Sequence, residues 1–199
     1  MQEERGIALS KHHYFFAVKL PKEAKEFLYE WIQARKGDFP FARWVHPEDY
    51  HITLAFLGFA EKEKLEQAIE KVKPVLEKEV SFTLTLNSIG VFGPQKAPRI
   101  FWADVESSEQ LFSIQKEVYQ QCVETGFQLD KKPFRPHITL ARKWNSGDAF
   151  DIKTLMQIRE ENGNTFSFNV TEVVLYETHL DRTPKYVEYA NFPLAVPGA

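Results

Sequence analysis

A chain of 199 residues with 43% hydrophobic and 27% charged side chains can bury a sizeable core and falls within the size of one domain. Its formal net charge of −3 excludes coating of nucleic acid or an anionic membrane by bulk charge, so any anion site has to be local. One cysteine, Cys122, excludes an intramolecular disulfide and a cysteine metal cluster, which suits a reducing cytoplasm.

The stretch Met1–Lys11 carries charges and no long apolar run, so it reads as neither a signal peptide nor a membrane span. An aromatic, β-prone strand is predicted over His13–Leu20, ended by Pro21 before a helix from Lys22 to Arg35 whose buried stripe is Phe27, Leu28, Trp31 and Ile32. Gly37 and Pro40 break the chain, and after a turn at His46-Pro47 a second strand runs from His51 to Leu57, stopped by Gly58. Glu61–Glu79 is an amphipathic helix on Leu65, Ile69, Val72 and Leu76, kinked or shortened by Pro74. Ser81–Leu86 and Arg99–Val105 read as an antiparallel hairpin around Gly93-Pro94.

A third helix, Ser108–Thr125, spaces Leu111, Ile114, Val118 and Cys122 along one buried face and ends at Gly126, which makes Cys122 a core residue. Phe134–Ala141 is a strand. A short helix near Ile152–Glu160 is closed by Asn162-Gly163-Asn164, and Phe166–Thr178 and Tyr186–Phe192 are strands joined by a turn at Asp181–Pro184. Strands and helices mix without strict βαβ repetition, so the expected class is α+β with largely antiparallel sheets flanked by helices.

One four-residue motif occurs twice: His51-Ile-Thr53-Leu54 and His137-Ile-Thr139-Leu140, close to half a chain length apart. Chance alone expects roughly 0.02 copies of His-x-Thr-Leu in such a chain. A lone copy would pass for a hydrogen-bonded strand histidine beside a β-favouring threonine, whereas the pair implies duplication. Two pseudo-symmetric lobes, one motif in each (51–54 and 137–140), with a cleft between them, are the simplest reading of a single bilobal domain spanning 1–199. Side chains at i and i+2 of a strand share a face, so each motif turns His and Thr one way and Ile and Leu the other. If the polar faces converge, two imidazoles and two hydroxyls meet around a phosphate-sized space.

Histidine titrates near neutrality, so two can divide acid and base work at a phosphorus centre, one activating water and one protonating the departing oxygen. Thr53 and Thr139 would donate to the non-bridging oxygens. The scheme needs no metal or cofactor, and the chain has no His-x-His or His-Glu-x-x-His run; Asp49 and Asp104 could complete a metal site only through tertiary geometry. His12, His13, His46 and His179 stand singly and read as surface or structural residues.

With these motifs the chain resembles the two-histidine phosphoesterases, specifically the RNA 2′,3′-cyclic phosphodiesterases also called 2′-5′ RNA ligases. YFFAVKLP, WVHPEDYHITLAFLG, APRIFWADV, FRPHITLAR and THLDRTPKYVEYANFPL are similar to that family in order and spacing. The resemblance implies hydrolysis of a terminal 2′,3′-cyclic phosphate to a 2′-phosphomonoester, with His51 as proton donor, His137 as proton acceptor and Thr53, Thr139 and Arg142 binding phosphate. It also implies an aromatic for the RNA end, Phe15 or Phe16. Strict alternation objects to Arg142, which faces away from His137 unless the strand bulges, twists or ends there. Arg43, Arg99, Arg135 and Lys143 are candidates for a basic rim. Expected partners are RNA ends or nucleotides bearing a 2′,3′-cyclic phosphate, with no membrane, for a cytoplasmic monomer. Two alternatives stay open at this point: a module that binds nucleotide ends without turnover, and the same chemistry on a cyclic nucleotide, an ADP-ribose cyclic phosphate or a 2′-5′ oligonucleotide.

Overall fold

The computed structural model describes residues 12–161 and 165–198, so the reading of Met1–Lys11 and the Asn162-Gly163-Asn164 helix end lie outside it. In chain order the elements are β1 (His13–Lys19), α1 (Lys22–Arg35), β2 (Phe41–Trp44), β3 (His51–Phe59), α2 (Lys62–Leu76), β4 (Phe82–Phe92), β5 (Ile100–Val105), α3 (Glu109–Glu124), β6 (Ile138–Trp144), α4 (Ile152–Glu161), β7 (Phe166–Val170), β8 (Glu172–Thr178) and β9 (Tyr186–Pro193).

Local chemistry sets most of these limits. Ser108 caps α3 by accepting the Leu111 N–H at 3.2 Å, and Gly126, at φ 89°, turns the chain left-handed after it. Pro74 shortens α2, which ends at Leu76 rather than Glu79. The strand expected from Phe134 starts four residues later, at Ile138, because Pro133 and Pro136 have no N–H to give a ladder. β2 and the extension of β4 to Phe92 have only weak patterns in the sequence and depend on their neighbours.

All nine strands among the described residues join one sheet in the order β7-β4-β5-β6-β3-β1-β8-β9, with β2 also on β6. The ladders between named strands are antiparallel, which gives the α+β class expected. Between the central strands β3 and β6 a single residue pair is laddered, Ile52 with Ile138. On either side lie four strands of the path, β7-β4-β5-β6 and β3-β1-β8-β9. These halves of the sheet are not the two halves of the sequence. β4, from the first half of the chain, pairs with β5, while β8, from the second, pairs with β1. The run Phe166–Thr178, expected as one strand, is divided at Thr171: β7 lies on β4 at one end of the sheet and β8 between β1 and β9 at the other.

Alternation along β1 shows how the faces are used. Tyr14, Phe16 and Val18 enter the main core, whereas Phe15 and Ala17 point to the opposite face with Val174 and Tyr176. α2 and α3 pack on each other and against β9 and β3; α1 and α4 pack against β7 and β4. The fully buried Phe101 sits among Phe39, Phe41, Trp44 and Trp31, with ring centroids 4.9 to 6.4 Å away. Truncating such an anchor costs about 3–5 kcal/mol. That cluster ties β2 to the sheet and fixes the approach of the chain to His51.

Candidate active site

The two motifs meet at the centre of the sheet. With Ile52 opposite Ile138, antiparallel register sets His51 across from Thr139 and Thr53 across from His137, all four on one face. Ile52 and Ile138 are fully buried behind them, and Leu54 and Leu140 lie at 3% and 0% exposure. His51, Thr53, His137 and Thr139 are each only partly buried, as groups at a cleft floor should be.

Both imidazoles are oriented in the same way. His51 Nδ1 lies 2.7 Å from the Asp49 carbonyl and His137 Nδ1 lies 2.7 Å from the Arg135 carbonyl. A carbonyl only accepts, so each ring carries its proton on Nδ1 and works through Nε2. His51 Nε2 is 3.0 Å from the Thr53 hydroxyl. The His51 ring is walled by Phe15 at 4.7 Å, Tyr186 at 5.1 Å and Tyr176 at 6.0 Å, and the His137 ring meets Phe92 edge-on at 5.0 Å. Lost solvation in that aromatic wall pushes His51 down to about 4, against the pull of the Asp49 carbonyl, and the charges of His137, Arg142 and Lys25 add to the fall. His137 is also lowered, by desolvation first and by Arg142.

Arg142 is on this face after all. Trp102 pairs with Thr139 and Phe101 with Ala141, so Leu140 is the extra residue of a β-bulge. Leu140 and Ala141 both enter the core, and the parity change returns Arg142, which is exposed, to the side of His137 and Thr139. The other motif does the same. Phe16 pairs with Ala55 and Ala17 with Thr53, leaving Leu54 as the bulge and bringing Phe56 to the position equivalent to Arg142. Both copies read His-Ile-Thr-Leu-Ala, and the two consecutive buried residues after Thr are the sequence signal of that bulge.

Phe16 is a core residue at 0% exposure. Phe15 faces the cleft but is itself buried at 3%, so it builds the wall of His51; the exposed cleft aromatic is Phe56, at 55%. Of the candidate basic rim, Arg43 stands opposite Arg142 on β2, and Arg135 lines a groove of about 760 Å³ that starts at Thr53 and His137. Phe56, Phe92, Tyr119, Phe134 and Lys132 also line this groove. Arg99 accepts the Lys143 N–H through its carbonyl, and Lys143 holds a left-handed φ of 64° within β6, one residue before its end at Trp144.

Asp49 is a site residue that its sequence context does not reveal. Its buried carboxylate accepts the backbone N–H of Lys185 at 2.9 and 3.0 Å and that of Tyr186 at 3.1 Å, while its carbonyl accepts the hydrogen bond donated by His51 Nδ1–H. One residue thereby orients His51 and anchors the end of the β8–β9 connection, where Tyr186 opens β9. Asp104 is engaged elsewhere, by the Ser88 N–H at 2.7 Å, and neither aspartate joins a metal-binding group with the motif histidines among the described residues. No helix among the described residues is long and apolar enough to cross a membrane.

Residues 20–182 match the model of the 2′-5′ RNA ligase superfamily. An RNA 2′,3′-cyclic phosphodiesterase of Geobacillus stearothermophilus is 42% identical over 94% of this chain; the chain spans 58% of that protein's length. One from Bacillus subtilis is 32% identical over 92% of this chain and 97% of its own. Among solved structures, Escherichia coli LigT complexed with 3′-AMP superposes with a TM-score of 0.76 at 25% identity, covering 92% of this chain and 98% of LigT.

Proposed function

Because the chain belongs to the 2′-5′ RNA ligase superfamily, we propose that it hydrolyses terminal RNA 2′,3′-cyclic phosphates to 2′-phosphomonoesters, in the cytoplasm and as a monomer, by acid–base catalysis between His51 and His137. The observation that carries this reading is the central strand pair. It directs two Nδ1-anchored imidazoles and two threonine hydroxyls to one face. All of these groups come from one chain, and curated relatives carry the corresponding activity in their names.

In this mechanism the phosphate lies between the two Nε2 atoms. His137 takes the proton of the attacking water and His51 protonates the departing 3′ oxygen. The electrostatics support that division. Desolvation lowers both rings first, and it takes His51 down to about 4, so a His51 imidazolium is a strong acid, while Arg142 opposes protonation of both. The anionic phosphate itself supplies the field that protonates His51, which otherwise stays neutral at pH 7. Thr53, Thr139 and Arg142 bind the non-bridging oxygens, and the upstream nucleotide follows the groove past Phe56 and Phe92 toward Arg135.

The test is turnover of an oligonucleotide ending in a 2′,3′-cyclic phosphate, in excess EDTA, with the product phosphate located at the 2′ or 3′ position. The wild type should give the 2′-phosphate with chelator present, and His51→Ala and His137→Ala should each lose roughly 10²- to 10⁴-fold in rate. Near-native turnover by either variant, binding without hydrolysis by the wild type, or complete loss of activity in EDTA would each overturn the reading.

A further inference from the structure

Away from the cleft, at the start of β1 and the end of β8, His12, Glu177 and His179 come together although the sequence shows them as unrelated. One ligating atom from each lies within 4.8 Å of the other two. His179 Nε2 is 3.1 Å from Glu177 Oε2, and His12 Nε2 is 3.9 Å from Glu177 Oε1. The two imidazole centroids are 4.3 Å apart. Neighbouring ligands on a tetrahedral ion with bonds of about 2.05 Å stand roughly 3.3 Å apart; the two distances to Glu177 fall on either side of that spacing, and the whole set within 4.8 Å needs only a small contraction onto an ion.

The surrounding contacts aim the ligands. His12 Nδ1 lies 3.0 Å from the Thr178 carbonyl, which fixes the ring proton on Nδ1 and turns Nε2 toward Glu177. Tyr14 donates its hydroxyl to Glu177 Oε1 at 2.9 Å and orients the carboxylate. The three side chains are 20–24% exposed, shielded yet open to an entering ion. We propose that His12, Glu177 and His179 form a binding site for one zinc-like divalent transition metal, with a fourth position open to water. Two imidazoles and one carboxylate suit zinc and its neighbours; magnesium and calcium require oxygen ligands.

This site goes beyond the proposed reaction and takes no part in it. Its physical effect is to brace a loop. His179 donates its N–H to the Lys185 carbonyl at 2.7 Å, and the Lys185 and Tyr186 amides are held by Asp49 beside His51. An ion on His12, Glu177 and His179 ties the start of β1 to that connection and stiffens the wall of His51 from outside.

The test is calorimetric titration of the full chain, freed of metal with EDTA and then desalted, with zinc chloride. A His51→Ala/His137→Ala background removes the cleft imidazoles as competing ligands. The expected result is one zinc bound per chain in that background, at least tenfold weaker binding in added His179→Ala or Glu177→Gln, and no response to magnesium. At a hundredfold excess over Kd, zinc should raise Tm by roughly 5–10 °C. Absence of saturable zinc binding in the background overturns the proposal, as does binding undiminished by loss of His179. If His179→Ala fails to fold, His12→Gln takes its place and cobalt replaces zinc in the background protein. Visible bands of nitrogen-ligated cobalt, lost in His12→Gln, support the site; their absence overturns it.

Discussion

Removal of the Asp49 carboxylate separates what the side chain does from what the backbone does at the same residue. In Asp49→Ala the carbonyl that accepts from His51 Nδ1 remains, while the carboxylate contacts to the Lys185 and Tyr186 amides, at 2.9 to 3.1 Å, are lost. Leaving a buried amide unpaired costs about 1–3 kcal/mol. Two such amides, partly rescued by water, should lower stability by about 3 kcal/mol, or roughly 6–12 °C in Tm for a chain of this size. Freed of its anchor, the β8–β9 connection lets Tyr186 drift from the His51 ring, so kcat/KM should fall about tenfold, less than the 10²- to 10⁴-fold expected for loss of an imidazole. Asp49→Asn, which retains one accepting oxygen, should lie between Ala and wild type on both scales. The assay pairs thermal melting with turnover of a cyclic-phosphate oligonucleotide well below Tm. An unchanged Tm in Asp49→Ala refutes the anchoring role. An unchanged Tm with activity as low as that of His51→Ala would mean that the carboxylate acts on the reaction directly.

Three further outcomes follow from the same geometry. Both imidazoles are lowered, mainly by desolvation, so each loses its proton at a lower pH than the ordinary value of about 6.5. The kcat/KM profile, which reports the free enzyme, should therefore peak below about pH 6.5, and kcat, measured with phosphate bound, should hold to higher pH; a kcat/KM optimum above about pH 7.5 contradicts this. Arg142→Met removes a cation that lowers both rings, so the profile should shift toward alkaline pH as kcat/KM drops about 10- to 100-fold, the loss of one charged hydrogen bond; an unchanged profile and rate would put the guanidinium outside the cleft. Gly90→Ala would drive a Cβ into the indole ring of Trp102, opposite Thr139, and should cost about 1–3 kcal/mol with a loss of activity; a native melting curve would refute the clash.

Much of the site can be read from the chain because strand alternation is a local rule. His and Thr share a face wherever the backbone is extended, and a repeated His-Ile-Thr-Leu therefore carries its chemistry in one dimension. The helices were legible for the same reason: Leu111, Ile114, Val118 and Cys122 recur with the helical period and are all fully buried. Rules of that kind fail where a partner strand intervenes. Arg142 looks misplaced because alternation assumes no bulge, and the bulge at Leu140, hinted at only by the apolar pair Leu-Ala after Thr139, is fixed by a register shift against β5. Phe15 and Phe16, adjacent and alike, are told apart by which side of β1 the helices cover.

The sequence by itself determined that His51, Thr53, His137 and Thr139 share strand faces, the four groups of the proposed phosphate site, as well as the helices behind the sheet and the α+β class, since each follows from periodicity within a short stretch. Only the tertiary structure decided which strands share a half of the sheet, that one apolar run divides at Thr171 toward opposite ends, and that Asp49 and the pair His12 and His179 have partners more than a hundred residues away. Pairing across the sheet depends on chain crossing and hydrogen-bond register, and a side chain with one ordinary local neighbourhood gives no sign of the distant backbone it will meet.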